Sequence, residues 1–525
     1  MNQCKSSFIT PSKSLTKRAS LNALASIIDY GARVLVEFVI NPLLVAGLGN
    51  YLYGLWRILW RLNGYMDAAG GRSAQVLKWA VAKDQTLANY DDKRRYVGGT
   101  VAVWFLFLPL LTMLGGVLVW LAPILLEVPE EFLLTTQLTI GLLALNVVLF
   151  GLVDIPRVVL QGENLGYKRM GLSALLVLAG GGLTVLAVIQ GLGLVGVAAA
   201  TIATTLISGM VFLGVVRRQV PWFGIARPTR EITRRFYGLS GWFVLWKIVS
   251  QLMLAGDILI LGIFDSVVLV TVYTLTKYVP ETLIRLVGTV VFNISPGLGG
   301  IIGAGNLEKA VNVRGEIMAF TWLLLTVAGA CILLWNQLFV QLWVGDSYYA
   351  GLIPTLLIIL LVAQITFIRN DANVIDLTLN IRSKVLIGVL AETLALSLAA
   401  LLVSRYGMGI VGLCIGSIAG HSIISVVYPF LVGQVLGIRF YDQVKGALRP
   451  FFVTLLLLLM MLGVKHYGES YHQVAIVLER LHSWPGLVLG VATTAMVVSV
   501  LAFYGGLSTR QRSGLIKRLQ AVIKR

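Results

Sequence analysis

Apolar blocks of roughly 20 residues recur along the whole chain, and this feature leaves few architectures open. A helix of that length matches the hydrocarbon core of a bilayer. Inside lipid every backbone N–H and C=O must find a partner within the protein, so such blocks are helices. Only 13% of the 525 residues are charged and 57% are hydrophobic, with a mean hydropathy of +0.86. Soluble domains carry about a quarter charged residues. No period-two alternation of the outer-membrane barrel type is present. The chain is therefore expected to be an all-α polytopic membrane protein.

Gly, Pro and charge punctuation divide it into about fourteen transmembrane helices. Residues 1–20 form a basic N-terminal tail, too polar and too near an overlong apolar block to resemble a cleaved signal. Six helices at 21–48, 54–80, 97–121, 133–156, 170–190 and 195–216 form a first lobe, 21–216. A basic linker, 217–240, precedes a second lobe, 241–433, with helices at 241–263, 268–297, 317–336, 352–368, 385–404 and 410–433. Two further helices, 450–464 and 486–504, lie in 434–504, before a basic tail at 505–525.

Lys and Arg gather on alternate loops, including Arg217, Arg218, Arg227, Arg230, Arg234 and Arg235 in the linker, and in both tails. The opposite loops carry Glu127, Glu130, Glu131, Asp265 and Asp346. The positive-inside rule then puts both termini in the cytoplasm. The same rule and attraction to anionic membrane lipids account for the net charge of +18 without a nucleic-acid partner.

A constant offset of 216 residues aligns the chain with itself from the second helix to the twelfth. Gly191-Leu-Gly-Leu-Val-Gly196 falls on Gly407-Met-Gly-Ile-Val-Gly412, Asn164 on Asn380, Lys168 on Lys384, Lys93 on Lys309 and Arg61 on Lys277. Each copy has six helices of the same orientation, so the lobes are parallel repeats, a known transporter plan. Both glycine motifs satisfy G-x-G-x-x-G, but they lie at short turns between apolar helices and lack the strand that a dinucleotide site requires. Tight turning and helix packing explain them. Cys4, Cys331 and Cys414 lie far apart and suggest packing rather than a metal or disulfide framework. Neither a catalytic signature nor a cofactor motif is evident.

Eight basic residues fall within the expected spans: Arg33, Arg57, Arg61, Arg72, Lys78, Lys247, Lys277 and Arg285. All lie in the first two helices of each repeat, where a bare charge costs upwards of ~2.5 kcal/mol. Asp29, Arg33 and Glu37 share one helical face, as do Lys277, Glu281 and Arg285. Salt bridges between helices, and snorkelling for Arg57, Arg72 and Lys78, form one reading. The other is a site for an anion, since bases outnumber acids in these helices. Arg33, Arg61, Lys277 and Arg285, with Arg57 one turn before Arg61, are its candidate residues, and phosphate suits guanidinium forks. Asp257, Glu281 and Asp67 are the candidates for coupling to an ion such as H+ or Na+, although Glu281 between two bases equally suits a permanent ion pair. His421 and Glu392, in separate spans, could each carry a proton, although a lone buried polar residue more often bonds a neighbouring helix. Asp154, Asp371 and Asp376 are expected to be hydrated at inner helix ends.

Several short motifs extend this reading. Leu48-Gly-Asn-Tyr-Leu-Tyr-Gly-Leu-Trp56 is similar to L-G-x-x-x-Y-G-x-W, and Asp257-Ile-Leu-Ile-Leu-Gly-Ile-Phe264 with Tyr273 to D-x-x-x-x-G-x-x…Y. Pro296 with its glycine-rich surroundings and Leu342-Trp-Val-Gly345 add to the likeness. Together they resemble the oligosaccharide flippases of bacterial surface-polysaccharide synthesis, in the multidrug/oligosaccharidyl-lipid/polysaccharide exporter superfamily. Asp67-Ala-Ala-Gly70 departs from the family's usual D-x-G. The resemblance implies a polyprenyl-diphosphate-linked oligosaccharide turned across the bacterial cytoplasmic membrane, with coupling to an ion gradient. Competing readings are a lipid II-type flippase, a multidrug/cation antiporter and, from another class, a membrane glycan polymerase or ligase.

The topology is open to direct test. In a cysteine-free background, single cysteines at Asn50, Ser347 and Tyr471 should react with an impermeant thiol reagent from outside, and those at Asp92, Thr229 and Asp442 should not. Reversed labelling at the linker would overturn the orientation.

Overall fold

The computed structural model describes the backbone of residues 13–70, 73–83, 90–163, 165, 171–303, 305–377, 382–470, 482–509, 511–514 and 516. Arg72, Lys168, Arg169, Asn164, Asn380, Tyr471 and the tails beyond these limits lie outside the described residues. Among the described residues the regular structure is helical, with no strand. The elements are α1 Lys13–Ala69, α2 Ser73–Lys83, α3 Tyr90–Leu125, α4 Glu130–Val153, α5 Ile155–Gly162, α6 Leu172–Ile189 and α7 Gly193–Gln219. They continue with α8 Arg230–Phe264, α9 Val267–Thr276, α10 Tyr278–Gly303, α11 Leu307–Trp343 and α12 Leu352–Asp376. The last four are α13 Arg382–Ser404, α14 Gly409–Leu436, α15 Phe440–Ser470 and α16 Trp484–Leu501.

Among the described residues, twelve helices are long and apolar enough to cross a membrane, or thirteen if the bent pair Val267–Thr276 and Tyr278–Gly288 forms one span. The sequence led to fourteen, and the difference lies at Gly49. There the backbone takes φ 77° and ψ 172° inside an otherwise continuous α1. A side chain is disfavoured at that φ, and the helical ladder is interrupted. The segments on either side of Gly49 correspond to the expected first and second spans. The second ends early, at Ala69, and the fourth breaks at Asp154, where α5 begins.

The chain divides into two compact units, Met1–Leu52 with Leu59–Ile248, and Tyr53–Ile58 with Val249–Arg525. In the first, α4 packs on α3 and α7, α6 on α7, and α2 on α3 and α5. Its basic end is closed by an apolar cluster that includes Leu77, Val81, Val97, Val159, Leu160, Val216 and Trp222. In the second, α14 packs on α12 and α13, while α10 contacts α11 and α12. Gly416 and Gly420 lie directly on Ala399 and Ala395, the small-residue contact expected between membrane helices. The two helices outside the repeat, α15 and α16, both pack on α11.

The turns identified as repeat equivalents have the same local geometry in each unit. Gly191 and Gly193 have φ 71° and 57°, and Gly407 and Gly409 have φ 60° and 49°. The Gly196 N–H donates to Leu192 O at 3.0 Å, and Gly412 N–H to Met408 O at 3.1 Å.

Gly54 of the first motif carries a packing requirement. A Cβ there would lie 2.1 Å from Val267 O and 2.8 Å from Thr271 Oγ1. Gly54→Ala should therefore destabilise the protein by about 1–3 kcal/mol, the usual cost of overpacking. Gly116, where a Cβ meets nothing within 4 Å, is the control. Thermal unfolding of the detergent-solubilised protein should show a lowered Tm for Gly54→Ala and none for Gly116→Ala.

Candidate functional site

Lys277 occupies the break between α9 and α10, where the span bends by 57°. Pro280 accounts for the bend, because it has no N–H to offer the carbonyl four residues back, that of Thr276. Asn336 of α11 supplies the missing donor, its Nδ2 3.0 Å from Thr276 O. The Thr276 hydroxyl donates to Tyr348 O at 3.2 Å and accepts from the Ala350 N–H at 2.9 Å. Trp343, from the Leu342-Trp-Val-Gly345 motif, stacks beside Tyr278 with ring centroids 4.6 Å apart. The bend is thus held by α11 and by the segment that follows it.

This geometry delivers the Lys277 side chain to Asp257 of α8. The Lys277 ammonium and the Tyr273 hydroxyl both donate to Asp257 Oδ2, the latter at 2.5 Å, while Oδ1 accepts from the Ile258 N–H at 2.9 Å. The ammonium also lies 5.1 Å from the centroid of the Tyr273 ring. Asp257, Tyr273 and Lys277 are 7%, 0% and 3% exposed. Two charges withdrawn this far from water are tolerable only when paired and hydrogen-bonded. Asp257 and Tyr273, two residues of one family-like motif, thus meet in one cluster. Sequence spacing had assigned Tyr273 no role, and Lys277 and Asp257 separate ones.

The remaining candidates fall into different surroundings. Arg57 is half-buried in the segment that belongs to the second unit. Its Nε has no hydrogen-bond partner, and it makes no ion pair among the described residues. Glu281 and Arg285 follow Lys277 along α10 and are half-buried. In the first unit Arg61 is half-buried, whereas Arg33 and Asp67 are exposed. Lys78 and Lys247 are half-buried.

Other charges are neutralised away from this cluster. Asp371, expected to be hydrated, is 3% exposed and accepts from Arg314 Nη2 at 2.7 Å. Asp376 pairs with the buried Lys384 but keeps 37% of its side chain exposed, and Asp154 pairs with Arg157 one turn on. His421 Nε2 and Glu392 Oε2 meet at 2.9 Å and link α14 to α13. No group of three or more His, Cys, Asp or Glu side chains suited to a metal occurs among the described residues.

No protein-family model matches the chain, and no curated protein sequence matches it. Solved structures do share its fold. The inward-facing conformation of a multidrug resistance MATE family transporter of the MOP superfamily aligns with a TM-score of 0.62 at 15% identity, covering 78% of this chain and 98% of that one. An outward-facing conformation of such a transporter gives 0.56 at 16% identity, covering 80% and 96%. A MOP superfamily transporter from Pyrococcus furiosus gives 0.53 at 14% identity, covering 80% and 96%, and reverse polarity of its binding pocket is said to suggest a different function. At these identities the likeness is one of fold.

The cluster makes a quantitative prediction. Asp257→Asn and Lys277→Met each leave one buried charge unpaired and should cost about 3–5 kcal/mol. The double variant should lose less than the sum of the two single losses, by a coupling of about 1–3 kcal/mol. Denaturation of the four proteins in detergent measures the cycle, and additive losses would show that the two groups do not act as a pair.

Proposed function

We propose that this chain is an alternating-access transporter of the bacterial cytoplasmic membrane, with both termini inside, that moves a polyprenyl-diphosphate-linked oligosaccharide to the outer leaflet. The shared fold supports transport rather than catalysis. The observation that carries the anionic substrate is the charge balance of the second unit. The Asp257 carboxylate is already held by Lys277 and Tyr273, while the buried Nε of Arg57 has no hydrogen-bond partner. A multidrug exporter of cations calls for the opposite balance, an acidic group open to its substrate. Diphosphate oxygens would satisfy Arg57 through charge-assisted hydrogen bonds. We assign the anion to Arg57 and Arg285, both in the second unit, while Arg33 and Arg61 of the first unit are each candidates in their own right for contact with an anionic group.

Lys277 enters the scheme through Asp257. Protonation of Asp257 would remove the countercharge of Lys277 and free its ammonium for an anion, so that binding of an ion and of substrate are linked at one pair. Glu281, on the same helix, is the second carboxylate available for coupling. Asp67, exposed in the first unit, is the third.

The test is flipping of a labelled polyprenyl-diphosphate oligosaccharide in proteoliposomes, together with lipid-linked sugar accumulation in a deletion strain. Arg57→Gln should slow transport by about ten- to a hundredfold, the weight of one charge-assisted hydrogen bond, with Arg57→Lys retaining part. The Asp257→Asn/Lys277→Met variant should insert but lose its response to an ion gradient. Normal sugar turnover in the deletion strain, with loss of resistance to cationic drugs, would overturn the assignment.

A further inference from the structure

Within the first unit, a crevice of about 600 Å³ opens between α3, α4, α5 and α7, a volume in the range of small-ligand sites. Its walls are apolar, with Val101 and Phe105 from α3, Pro156 from α5, and Leu206 and Met210 from α7. Phe105 and Met210 are 58% and 66% exposed, so the crevice faces outward rather than into the core of the unit. In a membrane-spanning bundle that direction is hydrocarbon.

One end of the crevice is built differently. Arg217, in the last turn of α7, lines it there together with Phe223, Gly224 and Ile225 of the strap that leaves that helix. The strap is fixed in place. Ala226 N–H donates to Arg94 O at 3.2 Å, Arg94 Nε to Trp222 O at 2.9 Å, and Trp222 Nε1 to Glu163 Oε1 at 2.8 Å. Lys93 Nζ holds the same Glu163 oxygen at 2.9 Å. A Cβ at Gly98 would lie 1.9 Å from Ala226 O, which shows how closely the strap lies on α3. Ile225 is nevertheless left 70% exposed at the rim. Arg217 is exposed as well and makes no ion pair among the described residues.

An apolar slot open to hydrocarbon, closed at one end by a rigid strap and a cation without a countercharge, has the shape and charge of a lipid site. We propose that it binds one anionic phospholipid of the surrounding bilayer, with an acyl chain lying along α3 and α7 and the phosphate on Arg217. The guanidinium of Arg94 stands behind Gly224, its Nε 3.4 Å from where a Cβ of that glycine would be, and adds positive potential at the headgroup. The site belongs to the leaflet that meets the basic end of the first unit. It does not depend on which substrate is transported.

The full-length protein, reconstituted in nanodiscs of phosphatidylcholine with a minority of phosphatidylglycerol and then extracted, can be examined by native mass spectrometry for retained lipid. Wild type should keep one phosphatidylglycerol per chain in preference to phosphatidylcholine. Arg217→Gln should lower that preference about five-fold, the Boltzmann factor of one basic residue at an anionic surface, and Arg217→Lys should preserve it. Leu206→Trp, or Met210→Trp if the first variant fails to fold, fills the slot and should abolish retention of either lipid. Equal retention of the two lipids by wild type, or unchanged preference in Arg217→Gln, would overturn the proposal. So would displacement of the retained phospholipid by a polyprenyl phosphate at equal mole fraction, which would assign the slot to a transported lipid instead.

Discussion

A carboxylate and an ammonium buried in a bilayer protein have no water to fall back on, and much of the second unit is arranged around that constraint. Asp257 and Lys277 neutralise one another, but only because the span bends at Lys277. The bend in turn leaves the Thr276 carbonyl without a helical donor, and Asn336 closes the account of hydrogen bonds from a third helix. Charge pairing, helix breaking and the contact with α11 are therefore one structural statement. Removing any of the three exposes the others to hydrocarbon.

The features legible in the sequence were those decided locally. Apolar block length gives the spans, and paired glycines give two equivalent turns because positive φ is a property of the residue itself. The pairing of charges was less legible, for a physical reason. Glu281 and Arg285 follow Lys277 on one run of helix, with the Glu281 N–H donating to Lys277 O at 2.8 Å, but the break between Thr276 and Tyr278 delivers Lys277 to Asp257, 20 residues upstream, and not to its neighbours on the face. Pro280 was the available signal, since the carbonyl that it orphans lies next to Lys277. Asp371 was misplaced because an acid near a helix end looks hydrated until Arg314, 57 residues away, is known to reach it. Arg57 was flagged by its position on a helix face, and its unsatisfied Nε emerged only from the fold.

At the constant offset of 216 residues, Arg57 falls on Tyr273 and Arg61 on Lys277. A guanidinium in the earlier segment thus stands where the later one has a phenol, which shifts the balance of charge by one positive unit. The glycine turns at 191–196 and 407–412 keep the same backbone geometry while these side chains differ.

The location of the charge partners has a consequence for biogenesis. Asp257 and Lys277 stand on spans joined by the short turn between Phe264 and Val267, and a bare lysine within a span disfavours its entry into lipid. Because its countercharge lies on the span just upstream, the α8–α9 hairpin can enter lipid as an electrically neutral pair while later residues are still being synthesised. Arg314 has no such upstream partner, since Asp371 follows it in α12. Arg314 and Asp371 can therefore neutralise one another only after α12 has followed α11, so this pair closes later in synthesis than that of Asp257 and Lys277.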